Sequence, residues 1–399
     1  MDSTEAPIYS MAVISFAASL SGFLLCISPL ICQVSHRNLA ASCLIGYMMI
    51  SDAFYALNAL IWSHGDVNSW WDGAGLCDIE VKIQIATQIA LPGTLFCIFY
   101  TLADVMNTDR ATLVPTRAER LRKQALEVTF CFVIPLVAMA LHFICQPFRY
   151  GILGVTGCAQ SFDESWVSFV LVYGWPPVIC LLAAVYCVIV VVRLIKYKTE
   201  FSRILGSMGN RMNAHRFLRL FWLSSIMILI ILPLQTWVFY TQVVAAIPFH
   251  PFSWEKVHGP DWNTIVMVDT LNQVQYQPWI SVGGSVLLFL FFGLSPESLE
   301  MYRQYLVRLG LGRWFPSLNT PRPPTSFTFK FFSRISKGAQ SLFSWTASRS
   351  IATFASFPSS FSAKLSNQSR SSSDEKQTIT PVDTITAPHE IHQRCDCIV

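Results

Sequence analysis

Seven separated runs of mostly apolar residues, each long enough to cross a bilayer, dominate the chain. A membrane helix needs about 20 such residues to span ~30 Å of hydrocarbon. The runs are Ile8–Cys32, Ala40–Trp62, Cys77–Asp104, Ala125–Phe148, Trp166–Ile195, Phe217–Val243 and Pro278–Leu294. Few polar residues interrupt them, because an unpaired polar group in lipid is costly. The pattern predicts an all-α membrane protein, a seven-transmembrane helix bundle. Composition agrees: charged residues are 13% of the chain, against about a quarter in a soluble domain. Met1–Ser10 contains no Lys or Arg, so no cleavable signal peptide is expected and the first run serves as insertion signal and permanent helix.

Loop charges predict the orientation. The loop after the first run holds His36 and Arg37, and the loop after the third holds Arg110, Arg117, Arg120, Arg122 and Lys123. The loop after the fifth holds Arg193, Lys196, Lys198, Arg203, Arg211, Arg216 and Arg219. In the loops on the other side the Lys and Arg residues are only Arg149, in the second, and Lys256, in the third. Positive loops stay cytoplasmic, which places the N-terminus outside and the C-terminus inside; the expected location of this multi-pass protein is the plasma membrane.

Beyond the seventh run, Pro296–Leu311 is short and amphipathic, with Ser295 available as N-cap before Pro296. Leu299, Tyr302, Leu306 and Leu309 recur at helical spacing, which reads as a short amphipathic helix on the inner membrane surface. From Arg313 the chain is rich in Ser, Thr, Pro and Gln, a composition that cannot bury a core and reads as a disordered cytoplasmic tail. The expected organisation is a seven-helix membrane domain with its juxtamembrane helix over 1–311 and a tail over 312–399.

The inventory of reactive groups argues against an enzyme. The eight histidines are scattered, with only His142 inside a run, and no HExxH, phosphate loop or GxSxG occurs. No metal, cofactor or nucleic-acid partner is expected; membrane lipids are expected as partners, and oligomerisation stays open. Asp52 is the clearest deep acid. Two readings stand for it: an ion-binding group, as in a transporter or channel, or a hydrogen-bonding element between helices. Most of the twelve cysteines lie in apolar runs and act there as small hydrophobes. Cys77 and Cys158 fall on the outer side, in an oxidising compartment, and a bridge between them is expected. Cys395 and Cys397 lie near the C-terminus with Asp396 in the prenylation position, so palmitoylation or no modification both stay open.

The outer side is rich in aromatic and polar residues. Trp70 and Trp71 lie in the first loop and Asp78, Glu80 and Lys82 at the top of the third run. Trp254, Lys256, His258, Asp261 and Trp262 lie in the third outer loop, together with Phe249 and Phe252. Aromatic bodies with a few charges suit an amphipathic ligand, and these residues are the candidate ligand site. Interfacial Trp and Tyr belts account for one or two of them in any membrane protein. Pro92-Gly93, Pro176-Pro177, Pro233 and Gly283-Gly284 mark flex points that would allow two packings of the bundle.

Several stretches in order carry a family likeness. They are Cys77-Asp78-Ile79 with Ala90-Leu91-Pro92 and Leu95-Phe96-Cys97-Ile98, then Tyr150-Gly151-Ile152 with Gly157-Cys158. Arg216-Phe217-Leu218-Arg219-Leu220 and Ser253-Trp254-Glu255-Lys256-Val257-His258 complete the set, over residues 8–311. In these the chain resembles the fungal a-factor-type mating pheromone receptors, a branch of the G-protein-coupled receptors. The resemblance implies a lipopeptide pheromone with an isoprenylated C-terminal cysteine as ligand. It also implies coupling to a heterotrimeric G protein α subunit, for which Arg211, Arg216 and Arg219 are the candidate contacts. One departure stands out: where the family continues with polar and basic residues, this chain has Phe99-Tyr100-Thr101-Leu102-Ala103-Asp104. That leaves open different or weaker coupling, or a receptor-like paralogue without a mating role.

Overall fold

Each apolar run is a helix in the computed structural model, which describes residues 9–106, 116–196, 211–270, 273 and 275–310. The tail with Cys395 and Cys397, Arg110, Lys198 and Arg203 lie outside the described residues. The helices are α1 (Ser10–Ser35), α2 (Leu39–Ile61), α3 (Leu76–Val105) and α4 (Arg117–Cys145). They continue as α5 (Trp175–Lys196), α6 (Arg211–Ala246) and α7 (Tyr276–Gly293), followed by the short α8 (Pro296–Arg308). The first seven are long and apolar enough to cross a membrane, so this is a multi-pass membrane protein. Leu136, Leu181, Val188 and Leu229 are exposed on the bundle's outer surface, where lipid, not water, is the solvent.

Local chemistry sets the helix starts. Asn38 opens α2 by accepting from the Ala41 N–H at 3.2 Å. Thr116 and Glu119 cap α4 reciprocally, each side chain bonding the other's amide. Ser295 caps α8 by accepting from the Ser298 N–H at 3.1 Å, with Pro296 in the first turn, where a missing N–H is tolerated.

α3 is the hub. Of its most apolar stretch 78% is buried, against 22% in α5, because Ile85, Ile89, Leu95, Phe96, Ile98, Phe99 and Leu102 point to several sides of the helix. The Phe96 ring lies 4.6 Å from Phe130 of α4 and 5.4 Å from Tyr186 of α5. The fifth run is not one helix: a turn at Trp166–Ser168 and a π-helical segment at Phe169–Tyr173 precede α5. Pro176 and Pro177 therefore fall in the first turn of α5 instead of kinking its middle. Two further π-helical segments, Thr129–Val133 and Phe289–Gly293, interrupt α4 and end α7.

The loops between α4 and α5 and between α6 and α7 contribute a small sheet that the run pattern does not foretell. β1 (Tyr150–Leu153) and β2 (Gly157–Ala159) form an antiparallel hairpin with Gly151 opposite Ala159. β3 (Ile265–Val268) joins β1 in parallel, Tyr150 opposite Ile265, giving the order β2-β1-β3. A disulfide from Cys77 at the start of α3 to Cys158 in β2 ties the sheet to the bundle. Below it Trp62, Trp70, Val81, Tyr150 and Ile152 form a second apolar cluster.

Candidate functional site

A buried network of amides and one carboxylate holds the sheet on the bundle. Asn58 of α2 donates to Glu80 at 2.8 Å and to the Thr156 carbonyl at 2.7 Å. Gln84, one turn after Glu80, donates to the same carboxylate oxygen at 3.0 Å and to the Cys158 carbonyl at 2.9 Å. Both amides thus bridge a carboxylate on α3 and the backbone of the second loop. Gly157 is required here: its φ is +86°, and a Cβ would lie 2.2 Å from Asn58 Cγ.

The sequence candidates at this end divide into sealed and open groups. Glu80 is fully buried in that network. Lys82 donates to His142 Nδ1 at 2.8 Å and Gln146 Oε1 at 2.9 Å. With Nδ1 accepting, the neutral imidazole carries its proton on Nε2 and donates to the Ser161 carbonyl at 3.0 Å. Asp78 forms a two-pronged pair with Arg149 at 2.8 and 2.5 Å and also accepts from the Gly75 N–H at 3.1 Å. The Asp78 carboxylate raises the Arg149 pKa further above its ordinary value. Trp70 is buried, its indole N–H on the His64 carbonyl.

Trp71, Trp254, Lys256 and Asp261 are exposed. Trp71 stacks on Trp62 with ring planes 5° apart. Trp254 stacks on His258 at 3.9 Å, His258 on Trp262 at 6.1 Å, and Phe143 of α4 meets all three edge-on or tilted. Trp262 anchors this ladder by donating its indole N–H to the Gln146 carbonyl at 2.9 Å. The structure therefore brings Trp254, His258 and Trp262 together and puts Glu80 and Lys82 beneath, in the helix packing. Tyr9 clamps the same end: its hydroxyl donates to Asp269 at 3.0 Å and its N–H to the Ser63 carbonyl at 2.8 Å. Desolvation first, then the Asp269 carboxylate, push the Tyr9 phenol pKa up.

In the middle of the bundle Asp52 accepts from Ser281 at 2.6 Å and Ser285 at 2.5 Å, both on α7. It is fully buried. Gly22 of α1 makes room for it, since a Cβ there would lie 2.5 Å from Asp52 Oδ2. Three helices thus meet on one carboxylate.

At the opposite end Arg193 of α5 donates to the Ala103 carbonyl of α3. Arg219 of α6 is buried and pairs with Glu297 of α8 at 3.4 Å. Its guanidinium sits 5.5 Å from the centre of the Phe292 ring. Arg211 and Arg216 lie on the first turns of the same helix. Ser28 of α1 and Tyr302 of α8 hydrogen-bond, docking α8 on the bundle.

Asn58, Gln84, His142, Phe143, Arg149, Arg193 and Glu297 are among the site residues that sequence reasoning did not assign. Three of these carried a signal: His142 is the one histidine inside an apolar run, Arg149 is one of two Lys or Arg residues in the loops on its side, and Arg193 belongs to the basic set of the opposite side. The neutral amides carried none.

Seven membrane-crossing helices, loops folded over one end and polar contacts joining helices across the interior define a seven-helix membrane bundle. Residues 14–310 match the pheromone A receptor (STE3) family, and the chain belongs to it. It is 28% identical over 305 residues to the pheromone a factor receptor of Saccharomyces cerevisiae, covering 76% of this chain and 63% of that protein. It is 25% identical to the pheromone B alpha 1 receptor of Schizophyllum commune, over 76% of this chain and 49% of the other. The pheromone M-factor receptor of Schizosaccharomyces pombe is 24% identical over 71% of this chain and 75% of its own length. The chain thus spans between about half and three-quarters of these relatives' lengths. The family is one of receptors, not enzymes.

Proposed function

We propose that this chain is a G-protein-coupled receptor for an extracellular lipopeptide pheromone, signalling through a heterotrimeric G protein. The observation that carries the reading is the aromatic ladder Phe143–Trp254–His258–Trp262 beside exposed Lys256 and Asp261. It offers an apolar platform for an isoprenyl group and charged neighbours for a peptide. The relatives named above, all pheromone receptors, support a pheromone as ligand.

On this reading the disulfide end faces outward at the plasma membrane and the Arg219 end faces the cytoplasm. The excess of Lys and Arg in the loops at the latter end supports that orientation. Residues 1–311 are the receptor domain and 312–399 a cytoplasmic tail whose serines are phosphorylation targets. Arg211 and Arg216 are the basic contacts offered to the Gα subunit, and Arg219 joins them only once it leaves Glu297. The departure at Phe99–Asp104 does not leave the inner end of α3 without a cation, because Arg193 reaches its backbone from α5. The test is nucleotide exchange on a purified Gα subunit with receptor in nanodiscs. Stimulation by an isoprenylated peptide supports the proposal; no stimulation by any member of a broad panel removes the mating role.

A further inference from the structure

The two edges of the sheet are treated differently. The outer edge of β2 is closed by side chains: Asn58 takes the Thr156 carbonyl and Gln84 takes the Cys158 carbonyl. Among the described residues the outer edge of β3 is not closed. Apart from its ladder with β1 and the Gly154 N–H on the Val268 carbonyl, no hydrogen bond reaches the main chain of Ile265–Val268 among the described residues. An unpaired edge is a template for another strand, and proteins ordinarily blunt it with Lys, Pro or a charge. Ile265-Val266-Met267-Val268 contains none of these.

The strand is also held firmly enough to serve as a template. Ile265 and Met267 pack into the apolar cluster under the sheet, while Val266 and Val268 are 40% and 46% exposed. Its two ends are pinned. Trp262 fixes the approach to Ile265 through the Gln146 carbonyl, and Asp269 holds the Tyr9 hydroxyl just past Val268. The aromatic ladder therefore lies at the N-terminal end of the open edge.

We propose that β3 is the docking edge for the peptide part of the ligand, whose main chain adds as a fourth strand along Ile265–Val268. The apolar tail of the ligand rests on the Phe143–Trp254–His258–Trp262 ladder. This inference depends on the lipopeptide reading above. A tail at the C-terminus of the peptide, seated at the start of β3, makes the added strand antiparallel to β3. Main-chain bonds supply affinity in this mode, and alternate side chains supply selectivity at the Val266 and Val268 face.

The experiment measures binding of synthetic peptides ending in an S-farnesyl cysteine to the full chain in nanodiscs. Each amide of a binding peptide is then N-methylated in turn. Strand addition predicts a period of two near the tail: alternate amides lose about tenfold in affinity each, and those between stay near the parent. A flat or uniform profile with a parent that binds overturns strand addition and leaves the receptor reading standing. If no peptide in the panel binds, both readings fall. Trp254→Ala supplies a second readout, because it should narrow the affinity gap between the farnesylated peptide and its unlipidated form. An unchanged gap overturns the seat assigned to the tail.

Discussion

Arg219 of α6 and Glu297 of α8 pair at 3.4 Å with side chains only 10% and 15% exposed, the guanidinium covering the Phe292 ring. Glu297 is well placed to hold its side of the pair. It lies in the first turn of a helix that Ser295 caps, where the helix dipole favours a carboxylate. The π-helical end of α7 brings Phe292 into the core beneath the guanidinium. The contact clasps α6 to the α7–α8 corner, across the surface that a G protein must enter on the proposed reading.

Removing one partner takes this contact away from a largely buried charge, which costs more than replacing the pair as a whole. Glu297→Gln and Arg219→Ala should therefore each release α6. A shift of ~1–2 kcal/mol changes the ratio of closed to open bundles by about 5–30-fold. Spin labels on α6 and α8 in ligand-free receptor should report a longer distance population in both variants. The exchanged pair R219E/E297R should restore the short one only in part, because it puts a cation at the N-terminus of α8 and an anion on the Phe292 ring. Equal distance distributions in wild type and single variants would mean the clasp holds nothing.

The Asn58–Glu80–Gly157 corner should govern the stability of the lid. Gly157→Ala places a Cβ against Asn58 at a positive φ, so it combines strain with a clash. Asn58→Ala leaves Glu80 with one amide donor in place of two and the Thr156 carbonyl without its side-chain donor, at a cost of about 1–3 kcal/mol. Both variants should unfold at lower temperature in the same nanodiscs, with Gly157→Ala the more severe. An unchanged Tm for Gly157→Ala would contradict the packing described.

Gly22 and Asp52 should behave as one unit. Gly22→Ala forces the Asp52 carboxylate away from Ser281 and Ser285, whereas with Asp52→Ala in place the added methyl meets no carboxylate. A double-mutant cycle on thermal stability should give a coupling of about 0.5–3 kcal/mol, the range for residues in contact. Strict additivity would separate the two positions. The same Asp52→Ala variant tests the ion-pathway reading, which requires a wild-type ion flux in liposomes that this substitution abolishes.

Much of the fold was legible in the chain because lipid imposes a length and a polarity on every crossing segment. The seven runs correspond to α1–α7, with the fifth broken at Phe169–Tyr173. Ser295 and Pro296 carried the start of α8, since capping and the tolerance of proline at a first turn are local properties. The sheet was not legible: Ile265–Val268 is only four residues long and pairs with a segment more than a hundred residues earlier. Nor was the burial of Glu80 and Arg219, because each is stabilised by a partner on another element, Asn58 and Glu297, that sequence spacing does not reveal. The residues Trp254, His258 and Trp262 could be singled out as aromatic, but their stacking on Phe143 depends on where the third loop lands.

The central claim is that ligand on one end and G protein on the other bias the same two packings of the bundle, and reciprocity tests it most directly. Coupling between two sites must act equally in both directions. A farnesylated peptide that binds the full chain in nanodiscs should therefore be titrated with and without nucleotide-free Gα heterotrimer. The account predicts that heterotrimer raises the affinity about 5–150-fold and that added guanine nucleotide reverses the gain. Identical peptide affinity in the two conditions, with heterotrimer shown to be in excess, would contradict it.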